Sequence, residues 1–358
     1  MSGGGTAGHI YPALALAAEL RSRGHELVYV GTPQGPEAHL AAEAGLDFVA
    51  APAAGFDRAR PWTLLTSSLK IARSAWKLRR FFTQWRPEAI VGFGGYVAVP
   101  VGLAARLVRP PVPVVVHEQN SVPGMTNRFL ARHACAVALT YPQTAEHFGG
   151  RRVVLTGDPV RPEIRGADPV RGRARLGIPP EALMLLVFGG SRGARHINEA
   201  LVRELPELLA ADPALHIVHA AGPEEVESVR EQTRTAPARY HLFAYLDDIA
   251  DVMAAADLAL TRAGATTIAE LTALGIPALL VPFPYATGDH QTSNARDLVR
   301  AGAAVMLPDD QLDGPEFADI LRELLADAHG RDTMARAAQS LRGHDAAESL
   351  ADLVESVA

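Results

Sequence analysis

The sequence predicts an α/β protein built from two parallel-sheet domains. Short β-branched apolar segments alternate with helix-like segments along the whole chain. One glycine-rich segment, GGGTAGH at 3–9, opens the chain, and a second, GGSRGAR at 189–195, lies near its middle. The 358 residues also exceed the ~250–300 residues at which a single hydrophobic core stops growing.

Twelve apolar segments are predicted strands, six in each half, and their nearly continuous apolar character is typical of strands buried on both faces. They are 26–30, 47–51, 88–93, 113–117, 136–140 and 152–156, then 183–188, 216–220, 240–245, 257–261, 277–282 and 303–307. Helices are predicted at 10–23, 64–85, 195–211, 266–274, 290–301 and 316–327. Two sets of six strands favour tandem Rossmann-like domains over a β/α barrel, which closes on eight.

The boundary between the domains is predicted near TGDPVRPEI (156–164), where glycine and proline interrupt regular structure. We therefore expect a first domain over 1–158 and a second over 159–342. The last segment, 343–358, has helical periodicity with no strand after it, and it can fold back on either domain, the first included.

A Rossmann-type glycine loop normally follows a strand, yet only Met1 and Ser2 precede the first one. Either the first sheet lacks its first strand or the natural start of the protein lies upstream. We favour an upstream start.

Composition narrows the classes of protein. A single cysteine excludes an internal disulfide and suits a reducing cytoplasm. We find no signal peptide and no apolar run near the ~20 residues that a membrane-spanning helix needs, so we expect a soluble or peripheral protein. Residues 1–150 carry 14 Lys+Arg against 9 Asp+Glu, whereas the rest carries 20 against 31. An anionic partner is therefore expected at the first half alone, and no nucleic-acid partner.

Both glycine loops have the features of a binding site for an anion or a polar hydroxyl. Glycines allow close backbone approach, and the helix that follows directs free N–H groups at an anion or a polar hydroxyl. Neither loop fits the dinucleotide fingerprint cleanly. No acidic residue ends the strand after the first loop to bind a ribose diol. After the second loop, Asp212 is near the usual spacing but precedes the strand HIVHA. By themselves the loops leave dehydrogenase and transferase open.

Seven motifs decide between them, and they occur in this order: GGGTAGHIYPALALA, GFGGYVAVP, HEQNSVPGMTNR, TGDPVR, GGSRGARHIN, RAGATTIAEL and ATGDHQTSNA. As a set they closely resemble the MurG family of N-acetylglucosaminyltransferases, over essentially the whole chain. The resemblance implies a GT-B fold, with two Rossmann-like domains facing a cleft. It also implies inverting transfer of GlcNAc from UDP-GlcNAc to the muramyl 4-hydroxyl of undecaprenyl-diphospho-muramyl-pentapeptide (lipid I), which gives lipid II in peptidoglycan synthesis.

The resemblance assigns donor binding mainly to the second domain. RAGATTIAE reads as a strand end, a turn at Gly264, a helix capped by Thr266 or Thr267, and Glu270 one turn inside to bind the ribose. Gln291 and Asn294 are expected to bind the sugar hydroxyls. The full expected donor set is Thr6, Ala7, Gly8, Asn120, Arg161, Ser191, Leu246, Ala265, Thr266, Thr267, Ile268, Ala269, Glu270, Gln291 and Asn294.

A single in-line displacement needs one general base and no enzyme nucleophile. His9 is our first candidate because it titrates near neutrality and lies on the acceptor-domain loop. Glu118 is the second candidate. The alternative is that His9 only orients the acceptor diphosphate or donates a hydrogen bond to it. Gly5 and Tyr96 are expected to contact the acceptor, and Asn120 is expected to help position it. We expect no cofactor and no metal, because no ligand set has suitable spacing.

A basic stretch runs from residue 58 to 87, with eight basic residues and no acidic ones. Plotted as a helix, it has two separate apolar stripes beside a cationic one. One stripe can pack on the sheet, and the other suits an anionic membrane surface. We expect peripheral attachment to the cytoplasmic side of the cell membrane through Lys70, Trp76, Lys77, Phe82 and Trp85. The alternative is a helix sandwiched between sheet and loop, with solvated charges.

Three rival functions remain: a UDP-GlcNAc 2-epimerase or another UDP-sugar transferase of the same architecture, an NAD-dependent dehydrogenase, and a catalytically silent nucleotide-sugar-binding protein. The epimerase needs neither a lipid acceptor nor a basic amphipathic helix. An NAD-dependent dehydrogenase needs an acidic residue that binds the ribose diol, and this sequence lacks one after the first glycine loop. A silent protein has no need of both acceptor-side and donor-side motifs.

Overall fold

The computed structural model describes residues 1–53, 62–190, 194–246, 248–342 and 345–358, without the side chains of 62–66. The chain divides into two compact units. The first contains Met1–Arg161 and the C-terminal residues up to Ala358, and the second contains Pro162–Arg342.

The first unit has a parallel sheet of seven strands in the order β3-β2-β1-β4-β5-β6-β7. Its strands are β1 (Ser2–Gly3), β2 (Val28–Gly31), β3 (Asp47–Ala50), β4 (Ile90–Gly94), β5 (Val114–Glu118), β6 (Ala136–Leu139) and β7 (Val153–Leu155). Its helices are α1 (Ala7–Ser22), α2 (Pro36–Glu43), α3 (Trp62–Trp85), α4 (Ala98–Leu107), α5 (Met125–Ala131) and, near the C-terminus, α15 (Ala346–Glu355). A 3-10 helix covers Pro142–Phe148.

The second unit has a parallel sheet of six strands in the order β10-β9-β8-β11-β12-β13. They are β8 (Leu183–Phe188), β9 (Leu215–Ala220), β10 (Tyr240–Phe243), β11 (Leu258–Thr261), β12 (Ala278–Leu280) and β13 (Ala304–Met306). Its helices are α6 (Pro162–Arg165), α7 (Pro169–Leu176), α8 (Arg195–Ala211), α9 (Val226–Gln232), α10 (Ile249–Ala254), α11 (Ala265–Leu274), α12 (His290–Arg300), α13 (Pro315–Ala326) and α14 (Ala328–Ser340). Two 3-10 helices lie at Thr287–Asp289 and Asp309–Gln311.

All twelve predicted strands are confirmed, and each differs from its predicted bounds by one or two residues at most. The residues of β4, β5 and β6 are buried throughout, because helices cover both faces of the sheet. These apolar segments are therefore strands because they are buried on both faces of the sheet, as predicted.

The expectation that no strand precedes the first glycine loop is wrong. Ser2–Gly3 form a two-residue strand in the middle of the sheet, hydrogen-bonded in parallel to β2 and β4. The glycine loop thus leaves the sheet where its strand order reverses, which is where open α/β sheets bind ligands.

Helix α15 packs on α1. Arg23, just after α1, donates to Asp352 at 2.6 Å and to Glu355 at 2.8 Å, and Leu350 and Leu353 join the core of the first unit. The last helix thus stabilises the helix that follows the first glycine loop.

Candidate functional site

The first glycine loop packs closely against the loop that follows β4. Gly95 has a φ of +76°, and a Cβ there would lie 2.3 Å from the Gly4 carbonyl oxygen. A Cβ on Gly94, whose φ is +105°, would lie 2.9 Å from Cδ2 of His9. Both positions require glycine because the backbone is left-handed and the space is filled. The motifs GGGTAGH and GFGGYVAVP therefore form one layer at the carboxyl edge of the sheet.

His9 lies in the first turn of α1 and its ring is fixed by the loop. Nδ1 is 3.0 Å from the carbonyl oxygen of Gly4 and 3.0 Å from the hydroxyl of Thr6. A carbonyl oxygen can only accept, so Nδ1 carries the ring proton. In the neutral ring Nε2 then has the lone pair that a general base uses.

Thr6 precedes the helix without capping it through its side chain, because its hydroxyl contacts His9 instead. Thr6 and Gly5 are exposed, and Ala7 and Gly8 are half-buried. The structure therefore brings Gly5, Thr6, Ala7, Gly8 and His9 together around the N-terminus of α1.

Glu118 ends β5 and is 1% exposed. One carboxylate oxygen accepts from the backbone and side-chain N–H groups of Asn120, at 3.0 and 3.3 Å. The other accepts from the Gly124 backbone at 3.0 Å and from Asn127 at 2.9 Å. Burial raises the pKa of the Glu118 carboxyl, and these four hydrogen bonds oppose that shift. The carboxylate thus holds the loop 119–124 and positions Asn120.

Three residues near this site were missed by the sequence analysis. Gln119 is 2% exposed and donates to the carbonyl oxygens of Gly8, at 3.2 Å, and Phe93, at 3.4 Å. Asn127 is also 2% exposed and donates to Glu118. Glu37, at the start of α2, is fully buried behind the glycine loop. HEQN…N was visible as a polar motif, but no pattern distinguished Glu37 from an ordinary acid in a first helical turn.

Arg161 and Tyr96 lie in the same unit. The Arg161 guanidinium lies over the ring of Tyr11, 4.2 Å from its centroid, in a cation–π contact. Tyr11 is two residues from His9, so Arg161 is close to the first glycine loop. Tyr96 is 48% exposed.

In the second unit, α11 begins directly after the end of β11. Its N-cap is Gly264, with no side-chain cap hydrogen bond, so the prediction that Thr266 or Thr267 caps this helix is wrong. The helix begins at Ala265, and both threonines belong to its first turn. The Oγ1 of Thr266 is buried and has no hydrogen-bond partner among the residues that the structure describes, and Glu270, one turn further on, is 5% exposed. Ala265, Ile268 and Ala269 complete the helical segment.

Gln291 and Asn294 lie on one side of α12 and both contact Ala263. The Gln291 side-chain oxygen accepts from the backbone N–H groups of Ala263, at 3.2 Å, and Phe283, at 2.9 Å. Asn294 is fully buried and donates to the Ala263 carbonyl oxygen at 3.4 Å. Both amides therefore fix the loop between β11 and α11.

An ionic network supports the same edge of the second sheet. Arg262 donates to Asp309 and to the backbone oxygens of Val281 and Pro282. Asp309 also lies 2.8 Å from Nδ1 of His196, at the start of α8. Burial lowers the pKa of His196, but its hydrogen bonds to Asp309 and Asp313 outweigh that effect and raise the pKa. The network connects the segments that follow four strands, β8, β11, β12 and β13.

The remaining predicted donor residues are not all described. Leu246 is 8% exposed, whereas Ser191 lies outside the described residues. The predicted donor set is divided between the two units: Thr6, Ala7, Gly8, Asn120 and Arg161 lie in the first, and Leu246, Ala265–Glu270, Gln291 and Asn294 lie in the second.

The residues predicted to contact a membrane lie on two different faces of helix α3, one buried and one exposed. Phe82 is 3% exposed in the core that contains Val28 and Ile90, so it cannot contact a membrane and its assignment was wrong. Trp85 is half-buried against the same core. The other stripe faces outward: Leu69 is 67% and Trp76 59% exposed.

Lys70, Arg73, Lys77 and Arg80 are exposed beside that outward stripe, and Arg80 lies over the Trp76 ring at 5.2 Å. In the described part of the chain, no helix is long and apolar enough to cross a bilayer. Nor do three His, Cys, Asp or Glu side chains in that part lie together as a metal site would need.

Comparison with known proteins defines the class of enzyme. The model of the glycosyltransferase family 28 N-terminal domain matches residues 1–139, and that of the C-terminal domain matches 184–352. The chain is thus a two-domain glycosyltransferase of family 28.

Its relatives define the particular family. A protein of Desulforudis audaxviator (strain MP104C), named UDP-N-acetylglucosamine--N-acetylmuramyl-(pentapeptide) pyrophosphoryl-undecaprenol N-acetylglucosamine transferase, is 42% identical over 100% of this chain and 98% of its own. The crystal structure of Acinetobacter baumannii MurG has a TM-score of 0.76 and 32% identity, covering 99% of this chain and 98% of that one. This chain belongs to the MurG family.

The fold extends to other enzymes. A UDP-N-acetylglucosamine 2-epimerase structure from Listeria monocytogenes has a TM-score of 0.70 at 15% identity, covering 99% of this chain and 95% of that one. At that identity the likeness concerns the fold alone, and the epimerase alternative is not favoured.

Proposed function

We propose that this chain transfers GlcNAc from UDP-GlcNAc to the muramyl 4-hydroxyl of undecaprenyl-diphospho-muramyl-pentapeptide, with inversion. The observation that carries this proposal is the 42% identity, over the full chain, to a relative named for that transfer. The geometry of His9 is consistent with it, because an inverting displacement needs one base close to the acceptor hydroxyl.

His9 is the base in this proposal. The Gly4 carbonyl oxygen, 3.0 Å from Nδ1, keeps the proton on that nitrogen and leaves Nε2 as the proton acceptor. Glu118 is a weaker candidate, since both its oxygens already accept hydrogen bonds from the loop that they hold. Its role is to position Asn120, and Gly5 and Tyr96 contact the acceptor.

The donor binds mainly in the second unit. The uncapped start of α11 directs the N–H groups of Ala265, Thr266 and Thr267 at the diphosphate. Glu270 binds the ribose, and Gln291 contacts the sugar through its NH2 group, which has no partner among the described residues, while its oxygen is engaged. Asn294 acts indirectly, because it is fully buried against Ala263.

Catalysis is tested by UDP release from UDP-GlcNAc, with and without a lipid I analogue. Release that depends on the analogue, together with a disaccharide product, supports the transferase. Release without the analogue, or conversion of UDP-GlcNAc to its 2-epimer, would contradict it.

We also propose that the outward stripe of α3 binds the anionic cytoplasmic surface of the cell membrane. Trp76 and Leu69 supply apolar area, and Lys70 and Lys77 supply charge, each worth ~1 kcal/mol near an anionic surface. We expect Lys70→Glu/Lys77→Glu to reduce co-sedimentation with anionic vesicles by at least ~10-fold. The matched control is Arg234→Glu/Arg342→Glu, an equal charge reversal on the second unit. Equal binding by both variants would refute the assignment.

A further inference from the structure

The side chain of Glu37 is a fully buried carboxylate, and three glycines surround it. A Cβ on Gly4 would lie 2.5 Å from its Oε1, one on Gly31 2.6 Å from its Cγ, and one on Gly35 2.1 Å from its Oε2. Three glycines thus leave the space that the side chain occupies. Burying a carboxylate is unfavourable unless it is well hydrogen-bonded. The hydrogen-bond partners of Glu37 therefore indicate which segments the carboxylate acts on.

The two carboxylate oxygens have different partners. Oε1 accepts from the Thr32 backbone N–H at 2.9 Å and from the Thr32 hydroxyl, which explains how Glu37 holds the turn after β2. Oε2 faces the first glycine loop and accepts from the backbone N–H of Gly5, in a long hydrogen bond of 3.5 Å. The turn after β2 does not account for that second contact.

The Gly5 N–H and the Gly4 carbonyl belong to one peptide group. Its oxygen lies 3.0 Å from Nδ1 of His9, and its N–H points to Glu37. A single planar unit therefore connects the imidazole to the buried carboxylate. Hydrogen bonds in such a chain polarise one another, so a negative charge at the N–H end makes the carbonyl oxygen a stronger acceptor.

We propose that Glu37 is a positioning residue that acts on His9 through the Gly4–Gly5 peptide group. The carboxylate orients that peptide so that its oxygen fixes the Nδ1–H tautomer. Its charge also stabilises the imidazolium that forms when Nε2 accepts the proton of the acceptor hydroxyl. The arrangement has the logic of an Asp–His pair, with a peptide group between the two side chains. This inference rests on the proposed role of His9 as the base.

The other ionisable groups around the loop do not replace Glu37. On β2, the hydroxyl of Tyr29 donates to the Gly3 carbonyl at 2.9 Å, and burial followed by the charge of Glu37 raises the pKa of Tyr29. On β5, burial lowers the pKa of His117 to about 4, which keeps that ring neutral. Glu118, also on β5, is hydrogen-bonded to its own loop, and Arg161 lies over the Tyr11 ring.

The experiment compares the wild-type protein with Glu37→Gln and, as a matched control, Glu43→Gln, an exposed acid on the same helix. The imidazole of His9 is titrated by NMR in the full-length, isotope-labelled protein. Removing the charge of Glu37 is expected to lower the pKa of His9 by about one unit, a Coulomb effect of the size expected between nearby charges in a protein. Glu43→Gln is expected to leave it unchanged.

Kinetics supply the second readout. In Glu37→Gln the acid limb of the kcat/KM profile is expected to move to lower pH, and the plateau to fall ~3–10-fold because the base is weaker. KM for UDP-GlcNAc is expected to stay within ~2-fold, since no donor contact changes. A merely structural role would lower Tm and leave the profile in place.

Two results would overturn the inference. The first is an equal His9 pKa in wild type and in a folded Glu37→Gln protein. The second needs no variant. If the Gly4–Gly5 peptide group connects His9 to Glu37, the chemical shift of the Gly5 amide in the wild type must change with the titration of His9. A Gly5 amide shift that does not change over that titration excludes this connection. Both measurements are independent of turnover, so a failure of His9 as the base would appear separately, as full activity in His9→Ala.

Discussion

At the carboxyl edge of the first sheet, two buried carboxylates, Glu37 and Glu118, accept backbone N–H groups from the loops around His9. At the same edge of the second sheet, the neutral amides of Gln291 and Asn294 hold the peptide groups of Ala263. There the charge of Asp309 is offset by Arg262 and His196.

The difference has a chemical reason. A histidine that takes up a proton becomes cationic, and buried negative charge beside it stabilises that product. A diphosphate is anionic, and N–H groups, amides and arginine can surround it without repulsion. In the proposed reaction the first unit thus serves mainly the acceptor and the base, and the second unit serves mainly the leaving nucleotide.

The largest expected effect is that of removing the base. His9→Ala should lower kcat ~10²–10⁴-fold, the usual contribution of general base catalysis, while UDP affinity changes less than ~2-fold. Steady-state kinetics and UDP titration calorimetry measure the two quantities, with exposed His39→Ala as the control. Equal losses of turnover and UDP affinity would sink the assignment.

Glu118→Gln tests whether the second buried carboxylate is a base or a loop clamp. The glutamine NH2 group would face an N–H donor, so we expect a loss of ~2 kcal/mol of unfolding free energy, the cost of losing hydrogen bonds to a charged group. KM for the acceptor should rise while the acid limb of the pH profile stays in place. The control is Glu146→Gln, which changes an exposed acid in the same unit. Disappearance of the acid limb from the pH profile of Glu118→Gln would instead identify Glu118 as the base.

On the donor side, Gln291→Ala should raise KM for UDP-GlcNAc ~10-fold, equivalent to ~1.4 kcal/mol, because two backbone N–H groups lose their acceptor. The change in kcat should be smaller, and Gln232→Ala, on an exposed helix, should change neither. An altered acceptor KM with an unchanged donor KM would break the proposed division between the units.

The smallest effect concerns pH. The pKa of His196 is raised in the folded state, so its stabilising contribution is fully present below its ordinary value of ~6.5 and is lost as pH rises through the raised pKa. We expect less than ~1 kcal/mol from this partly exposed network. A plot of Tm against pH should therefore fall more steeply on the alkaline side in wild type than in His196→Gln; parallel curves would contradict it.

Much of this architecture could be predicted because its signals are local. Apolar β-branched runs such as LMLLVF mark strands buried on both faces, and all of them lie where expected. The motif around His9 also identified the loop and its helix. The cap of α11 was predicted wrongly, because two threonines are good caps in general while the turn places Gly264 at that position.

The sequence by itself determined the two parallel sheets, the family and the residue types of the site, since these depend on periodicity and on contiguous motifs. Only the tertiary structure decided which stripe of α3 is buried, with Phe82 inside and Trp76 outside. It alone brought Glu37 to the peptide group of Gly4 and Gly5. The physical reason is that burial and hydrogen-bond partnership are properties of pairs of distant segments. No pattern within either segment specifies which face or which oxygen will meet the other.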